Sequence, residues 1–324
     1  MTPQKTALIL GISGQDGTYL AEHLLKNGIV VHGTARDKES SNFAGLGQLK
    51  IHDKVTLHSA SLSDFRSVLT VLANVRPNLI FNLAAQSSVG LSFAQPVETI
   101  DSIMHGTINI MEAMRFLSLD ARFYSASSSE CFGSTDGVPA KETTPFHPRS
   151  PYAVGKAAAF WAVANYREAY GLFACSGILF NHESPLRPER YVTQKVVRGV
   201  MDIAEGKTTS LELGLLDLER DWGWAPEYVV AMHRMLEQDE PTDFVIATGE
   251  TNSLQDFVAH CFAYHDLDWR QHVTKNDDFV RPADIAHSSA DASKAKELLG
   301  WSAETKMLGV IERLMQAETA RRNQ

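Results

Sequence analysis

A phenol and an ammonium group lie four residues apart in the run Tyr152-Ala-Val-Gly-Lys156. On a helix this spacing places both side chains on one face, where the charge of Lys156 lowers the pKa of the Tyr152 phenol. Such a phenol can take a proton from a substrate hydroxyl while hydride leaves the carbon that carries it. The pair therefore predicts oxidation of an alcohol, and a surface Tyr–Lys pair without function is the alternative interpretation.

Hydroxyl and carboxyl groups precede this pair in the run Ser125-Ala-Ser-Ser128-Ser-Glu130. The run ends an apolar segment, and doubly wound folds bind their ligands at the carboxyl ends of such strands. Taken alone, the serines are typical of a polar turn that caps a helix. Together with Tyr152 and Lys156, they predict a catalytic site in which Ser128 supplies a hydroxyl and Glu130 an additional acid–base group.

A glycine-rich run, Gly11-Ile-Ser13-Gly14-Gln15-Asp16-Gly17, lies between a predicted strand and a predicted helix. Its glycines permit a tight turn and let backbone N–H groups approach a pyrophosphate, while the helix N-terminus supplies partial positive charge. The spacing GxxGxxG predicts a dinucleotide site, and a glycine-rich turn without a ligand is the alternative.

The end of the second predicted strand indicates which dinucleotide binds. Arg36 follows Ala35 there, and a cation at this point favours the 2′-phosphate of NADP. Asp37 leaves other interpretations open, since its carboxylate can neutralise Arg36 or accept a hydrogen bond from a ribose hydroxyl. A solvated charged loop without a ligand is the third alternative.

Short apolar runs alternate with segments of helical periodicity over the first half of the chain. The predicted strands are residues 7–10, 29–31, 55–57, 79–83, 122–124 and 173–180, and the predicted helices are residues 19–26, 65–73, 106–116 and 152–170. This alternation predicts an α/β fold with a doubly wound, Rossmann-like parallel sheet, which would gather the motifs at one edge.

The pattern changes after residue 181, where Pro, Arg and Glu cluster. A predicted helix at 193–205 and a turn-rich stretch around Asp221-Trp-Gly-Trp224 indicate a smaller C-terminal substrate-binding region. A helix at 228–238 and a strand at 244–247 follow the pattern of the first half again. We therefore assign residues 1–181 to a dinucleotide-binding domain, to which residues 225–250 return, and residues 182–324 mainly to the substrate-binding region.

The 324 residues have the composition of an ordinary globular protein, with 44% hydrophobic and 21% charged residues. A net charge of −9 argues against nucleic acid or an anionic membrane as the main partner. No window approaches the roughly 20 apolar residues of a membrane span, and no signal peptide is expected. Three distant cysteines, Cys131, Cys175 and Cys261, predict a cytoplasmic protein, and no spacing of ligating residues predicts a metal site.

Longer runs of the sequence carry a resemblance to a known family. They are residues 11–17, 82–87, 127–130, 145–153 (Pro-Phe-His-Pro-Arg-Ser-Pro-Tyr-Ala), 165–171, 177–185 (Gly-Ile-Leu-Phe-Asn-His-Glu-Ser-Pro), 220–223 and 244–249. In these runs the chain resembles the extended short-chain dehydrogenase/reductase superfamily and, within it, the GDP-mannose 4,6-dehydratase family. Leu186, Leu215 and Trp224 depart from the family pattern of Arg, Asn and His, and several of the departures from that pattern are expected around the sugar nucleotide.

The resemblance implies an NADP-dependent dehydration of GDP-D-mannose to GDP-4-keto-6-deoxy-D-mannose, with internal hydride transfer from C4 to C6. Tyr152, assisted by Lys156 and Ser128, would deprotonate the C4 hydroxyl, and Glu130 would remove the C5 proton and help water leave C6. The implied cofactor-binding residues are Gly11, Ser13, Gly14, Gln15, Asp16, Gly17, Arg36, Leu83, Ala84, Tyr152 and Lys156. The implied substrate-binding residues are Gln86, Ser87, Asn181, Glu183, Lys195, Arg220, Arg281 and Asp284.

Several alternatives stay open from the sequence. Arg220 and Arg281 can form structural ion pairs instead of binding a diphosphate. The chain can also be a related dehydratase, epimerase or 4-keto reductase for another GDP sugar, or a protein that binds sugar nucleotides without catalysis. The resemblance further implies a homodimer or a homotetramer.

Overall fold

A seven-stranded parallel sheet lies at the centre of the structure, a computed structural model that describes residues 4–323. The described residues form twelve strands: β1 (Thr6–Leu10), β2 (Val30–Ala35), β3 (Val55–Ser59), β4 (Leu79–Asn82), β5 (Arg122–Ser128), β6 (Ala174–Leu179), β7 (Asn181–Glu183), β8 (Leu211–Leu213), β9 (Glu219–Trp224), β10 (Phe244–Ile246), β11 (Thr251–Ser253) and β12 (Val273–Lys275). The central sheet has the order β3-β2-β1-β4-β5-β6-β10. Its parallel pairing confirms the predicted α/β, doubly wound, Rossmann-like class. Residues 1–3 and 324, which the predicted domains include, lie outside the described residues.

Twelve α-helices surround the strands within the described residues. They are α1 (Gln15–Lys26), α2 (Ala44–Gln48), α3 (Phe65–Val75), α4 (Val89–Ala94), α5 (Pro96–Ile100), α6 (Gly106–Phe116), α7 (Pro151–Tyr170), α8 (Val192–Ala204), α9 (Ala225–Met235), α10 (Leu254–Ala263), α11 (Ser293–Leu299) and α12 (Met307–Arg322). A π-helical turn, Asp101–His105, joins α5 to α6. Across residues 4–323, none of the helices combines the length and the hydropathy that crossing a membrane requires.

Alternate residues of the central strands pack into two separate hydrophobic cores. On β1, Ala7 and Ile9 belong to the core that contains α1 and α9, whereas Leu8 and Leu10 belong to the core of α3 and α6. Because both faces of the sheet are buried, its strands are continuous apolar runs in the sequence. This explains why periodicity located these strands correctly, to within a few residues at most ends.

The helix that carries the Tyr–Lys pair, α7, begins directly beside the end of β5. The Ser150 hydroxyl accepts a hydrogen bond from Ala153 N (3.1 Å), and Pro151 occupies the first helical position. The helix ends at Gly171, whose φ of +66° is a left-handed conformation that favours glycine. These two signals fix Tyr152 in the first turn of the helix.

A second layer is built from a three-stranded sheet, β11-β9-β7, and a two-stranded sheet, β12-β8. The prediction of a turn-rich stretch at 221–224 is wrong, because these residues belong to β9. Asp221 accepts hydrogen bonds from Thr248 N and Gly249 N, so it anchors a neighbouring loop. Gly223 is required because the ring of Tyr228 would lie 2.4 Å from an added Cβ. Asp and Gly therefore serve packing here, although both are typical of turns.

Later segments of the chain return to the central sheet. Strand β10 pairs with β6, α9 packs against α1, and α11 contacts both α9 and β10. Two hydrogen bonds of 3.0 and 2.7 Å join the Arg167 guanidinium to the carboxylate of Asp243, just before β10. The predicted division of the chain at residue 181 stays a prediction.

The packing of α1 against α9 leads to a pH-dependent stability. His23 Nε2 and His233 Nδ1 lie 3.1 Å apart between these helices. Burial, followed by the charge of His233, lowers the pKa of His23 to about 4. Since a free histidine has a pKa of about 6.5, the unfolded chain binds more protons between these values. The free energy of unfolding is therefore expected to fall as the pH decreases from 6.5 towards 4.

Thermal melting at a series of pH values measures this effect. His23→Gln should flatten the fall in melting temperature between pH 6.5 and 4, because the variant lacks the titrating imidazole. His52→Gln, at an exposed position, is the matched control and should keep the slope of the parent protein. Equal slopes for all three proteins would contradict the prediction.

Candidate active site

One cavity of about 1650 Å³ opens at the carboxyl ends of β1, β4, β5 and β6 and extends to the second layer. The structure brings every site residue predicted from the sequence to the wall of this cavity. They are Gly11, Ser13, Gly14, Gln15, Asp16, Gly17, Arg36, Leu83, Ala84, Gln86, Ser87, Ser128, Glu130, Tyr152, Lys156, Asn181, Glu183, Lys195, Arg220, Arg281 and Asp284. Shared location alone does not assign a role to any of them.

The glycine-rich turn fits a dinucleotide pyrophosphate. Gly11 has a φ of +88°, and an added Cβ would lie 2.8 Å from the backbone of Ala84. At Gly17 an added Cβ would lie 2.4 Å from Gly11 O, so both positions are closed to larger residues. Gly14 precedes α1, and no side chain caps this helix. The first N–H groups of α1 are therefore available to an anion.

An ion pair that the sequence did not predict links this turn to the second layer. His182 Nε2 lies 2.9 Å from Asp16 Oδ2, and His182 Nδ1 lies 2.7 Å from Phe180 O. Burial alone would raise the pKa of Asp16, but the charge and hydrogen bond of His182 hold it below its usual value. Burial alone would lower the pKa of His182, which Asp16 instead raises. Each partner thus favours the charged form of the other, and the pair joins α1 to β7.

Tyr152, Lys156 and Ser128 form one cluster at the end of β5. Lys156 Nζ donates to Ala126 O (2.6 Å) and lies 5.8 Å from the centroid of the Tyr152 ring. Burial lowers the pKa of Lys156 to about 8. Burial raises the pKa of Tyr152, and a hydrogen bond with Ser128 opposes this rise. The arrangement matches the predicted phenol, ammonium and hydroxyl set.

Glu130 lies in a short helical turn directly after β5 and faces two arginines. Burial raises the pKa of Glu130, whereas the charges of Arg220 and Arg281 oppose that rise and Asp284 adds to it. Arg220 Nη1 donates to Glu219 O (2.9 Å), and within residues 4–323 no carboxylate lies within ion-pair distance of Arg220. Arg281 Nη1 lies 3.5 Å from Asp284 Oδ1, so of the two arginines only Arg281 forms a structural ion pair.

Some predicted substrate residues already have protein partners. Gln86 Nε2 donates to Ser88 O (2.9 Å), and Lys195 Nζ lies 3.3 Å from the centroid of the Phe279 ring. Glu183 is 1% exposed and accepts a hydrogen bond of 2.6 Å from Thr193. The Glu183 carboxylate therefore lines the cavity but is almost fully shielded from solvent.

Three residues that the sequence did not predict also line the cavity: Arg187, Tyr191 and Thr193. Arg187 and Tyr191 lie in or beside the cluster of Pro, Arg and Glu after residue 181, which was the only signal. Of the three departures from the family pattern, only Leu215 lines the cavity. Leu186 packs towards Gly45, and Trp224 packs into the core of α10 and α12, so neither of these two residues lines the cavity.

Metal-ligating side chains do not cluster in the part of the chain that the structure describes. No group of three or more His, Cys, Asp or Glu residues there could hold a metal ion. Cys131, Cys175 and Cys261 are free and buried. The polar side chains that line the cavity carry hydroxyl, carboxylate, amide, amine, guanidinium and imidazole groups.

Known proteins resemble this chain over most of its length. A family model described as GDP-mannose 4,6 dehydratase matches residues 8–314. GDP-mannose 4,6 dehydratase 1 of Arabidopsis thaliana is 46% identical over 309 residues, which cover 92% of this chain and 85% of the relative. The GDP-mannose 4,6-dehydratase of Sinorhizobium fredii (strain HH103) is 43% identical over 329 residues, with 94% of each chain covered.

A solved structure supports the fold independently. The dTDP-glucose 4,6-dehydratase DesIV of Streptomyces venezuelae, determined with NAD bound, has a TM-score of 0.87 at 20% identity, with 98% of each chain covered. At this identity the similarity shows the fold alone. Together with the family model and the relatives above, the cavity and its residues lead to one conclusion: the chain belongs to the GDP-mannose 4,6-dehydratase family.

Proposed function

We propose that the protein is a hydro-lyase that converts GDP-D-mannose into GDP-4-keto-6-deoxy-D-mannose and water. Membership of the family supports both the substrate and the reaction. The observation that carries the proposal is that Glu130 lines the same cavity as Ser128, Tyr152 and Lys156. A site that only oxidises or reduces an alcohol does not need this additional acid–base group.

NADP is the proposed cofactor. When bound, it would supply the hydride acceptor for C4 of the sugar and the hydride donor for C6. The residues 11–17 and the first turn of α1 would bind the pyrophosphate, beside Leu83 and Ala84, and Lys156 would bind the ribose. Arg36 would bind the 2′-phosphate, because Asp37 accepts hydrogen bonds from Ser40 Oγ (2.7 Å) and Glu39 N instead of pairing with Arg36.

Tyr152 performs the first proton transfer in this proposal. The phenolate removes the proton of the C4 hydroxyl, and the positive charge of Lys156 and the hydroxyl of Ser128 stabilise that phenolate. The C4 carbon becomes a ketone. Because a ketone at C4 acidifies the neighbouring C5–H bond, the following step needs only a weak base.

Glu130 performs the elimination. Its carboxylate removes the C5 proton, and the resulting carboxylic acid protonates the C6 hydroxyl as the C6–O bond breaks and water leaves. The raised pKa of Glu130 suits both steps, since burial makes the group a stronger base and keeps the acid form available. Hydride would then return to C6, and the Tyr152 phenol would give the proton that it took from the C4 hydroxyl to C5, which regenerates the phenolate.

The remaining cavity residues are proposed to bind the nucleotide sugar. Lys195, Arg220 and Arg281 supply positive charge for the diphosphate in a chain whose net charge is −9. Asn181, Glu183, Gln86, Ser87 and Asp284 supply hydrogen-bonding groups on the same wall.

We further propose a cytoplasmic homodimer or homotetramer. Val154 and Trp161 on α7 are 45% and 62% exposed, and exposed apolar side chains on one helix favour association. Light scattering after size exclusion measures the number of subunits, and a monomer would contradict the proposal.

The reaction itself is tested with purified protein, GDP-mannose and NADP⁺, and the sugar nucleotide is followed by mass spectrometry. Loss of one water without net formation of NADPH is the expected result. An unchanged sugar nucleotide, or stoichiometric formation of NADPH, would contradict internal hydride transfer.

The affinity for NADP is expected to fall above pH 8. Lys156 loses its charge around its pKa of about 8, and with it the donor for the cofactor ribose. The dissociation constant should rise by at most about tenfold per pH unit above this value. Isothermal titration between pH 7 and 9.5 measures the effect, which Lys156→Met should remove and Lys141→Met, at an exposed position, should not. A constant affinity across this range in the parent protein would contradict the prediction.

A further inference from the structure

Two hydroxyl groups meet across the cavity at Ser87 and Tyr191. Ser87 Oγ and Tyr191 OH lie 2.8 Å apart, although the residues are 104 positions apart in the sequence. Ser87 follows β4 of the central sheet, whereas Tyr191 precedes α8 of the second layer. Among the described residues, each of these hydroxyls makes this one hydrogen bond. Both therefore have hydrogen-bonding capacity left for a ligand between the two layers.

The ring of Tyr191 is held in a fixed orientation. The Arg187 guanidinium packs on this ring at 4.0 Å from its centroid, and Arg187 Nε lies 3.4 Å from Glu183 Oε2. Thr193 donates to the same carboxylate oxygen, and Glu183 and Thr193 are each 1% exposed. A stacked aromatic side chain with a buried support loses little entropy when its hydroxyl binds a ligand.

Tyr191 lies near both Tyr152 and Lys195. Its phenol is close enough to Tyr152 to raise the pKa of Tyr152. Lys195 follows one helical turn later, and Lys195 N donates to Tyr191 O (3.0 Å). If Tyr152 acts on the C4 hydroxyl and Lys195 binds the diphosphate, the hexose must span the distance between them, past the Tyr191 phenol.

We propose that the Tyr191 phenol binds a ring hydroxyl of the hexose and makes the site specific for a hydroxylated sugar at that point. This inference rests on the proposed function, because it requires a nucleotide sugar in the cavity. The hexose hydroxyl takes the place that Ser87 Oγ occupies at the phenol, and Ser87 is free to bind a second sugar oxygen. A site built around a substrate hydroxyl discriminates against ligands that lack it.

The test separates binding of the sugar from binding of the nucleotide. Both GDP and GDP-mannose are titrated by calorimetry into Tyr152→Phe, which does not turn the substrate over, and into the same protein with Tyr191→Phe added. We expect a loss of affinity for GDP-mannose of about 3- to 10-fold, the range of one hydrogen bond, and an unchanged affinity for GDP. Phenylalanine keeps the ring on which Arg187 packs. Tyr264→Phe, at an exposed tyrosine of the second layer, is the matched control.

Three other outcomes are possible, and each of them would overturn the inference. An equal loss for GDP and GDP-mannose would overturn the inference, because it would assign Tyr191 to the nucleotide or to general packing. No loss for either ligand would overturn it as well. Failure of the Tyr152→Phe protein to bind GDP-mannose, while GDP binds, would overturn the proposed function and the inference together.

Discussion

Glu130→Gln is expected to lower the rate of water loss from GDP-mannose by roughly 10²- to 10⁴-fold, the range of one general acid–base group. Glutamine has nearly the same shape but can neither accept the C5 proton nor return it to the leaving hydroxyl. Because Ser128, Tyr152 and Lys156 remain, oxidation at C4 should continue. The variant should therefore form a 4-keto sugar on the enzyme without losing water.

Two measurements together check this result. Mass spectrometry of the released sugar nucleotide reports water loss, and incubation in D₂O reports exchange of the C5 hydrogen, which should also disappear. Glu304→Gln is the matched control, because the Glu304 side chain is exposed and lies outside the cavity. If Glu130→Gln kept full turnover, the assignment of the base would be wrong.

Tyr152→Phe is the second change with a large expected effect. Without the phenolate, no group accepts the C4 proton, so the reaction should stop before the ketone forms, and turnover should fall by roughly 10²- to 10⁴-fold. The ring still fills its place in the core beside Ile103 and Ala159. We therefore expect a folded protein with an unchanged melting temperature.

The two variants differ in how far the reaction proceeds. A 4-keto sugar should be detectable with Glu130→Gln after trapping by borodeuteride, and absent with Tyr152→Phe. Tyr170→Phe lies on the same helix at an exposed position and should behave like the parent protein. Detection of a 4-keto sugar in Tyr152→Phe would show that another base removes the C4 proton.

The strands of the central sheet and the helices beside it could be predicted from the sequence, because the signals that mark them are local. Glycines 11 and 17 close the turn after β1, and Ser150, Pro151 and Gly171 mark the ends of α7 within a few residues of each boundary. The proposed catalytic residues could be located for the same reason, since Tyr152 and Lys156 share one helix and Ser128 and Glu130 share one strand end.

The second layer could not be predicted to the same extent, because its strands contain few residues and depend on distant partners. Asp221 and Gly223 are typical of a turn, yet Thr248, Gly249 and Tyr228 determine their place in β9. Long-range pairs such as Asp16 with His182 leave no local pattern. Tyr191 was missed for this reason, since its partner Ser87 lies in the other layer.

The late return of β10 and α11 to the central sheet determines which surfaces stay exposed while the chain is being synthesised. Strand β6 is complete at Leu179, but its outer neighbour β10 begins only at Phe244. The core of α1 and α9 also includes Trp301, whose Nε1 donates to Glu227 O (3.0 Å). During synthesis the nascent chain therefore carries an open sheet edge at β6 until Phe244 is made, and a partly uncovered apolar face until Trp301 is made. Such a segment is a natural substrate for chaperones that bind the chain while translation continues.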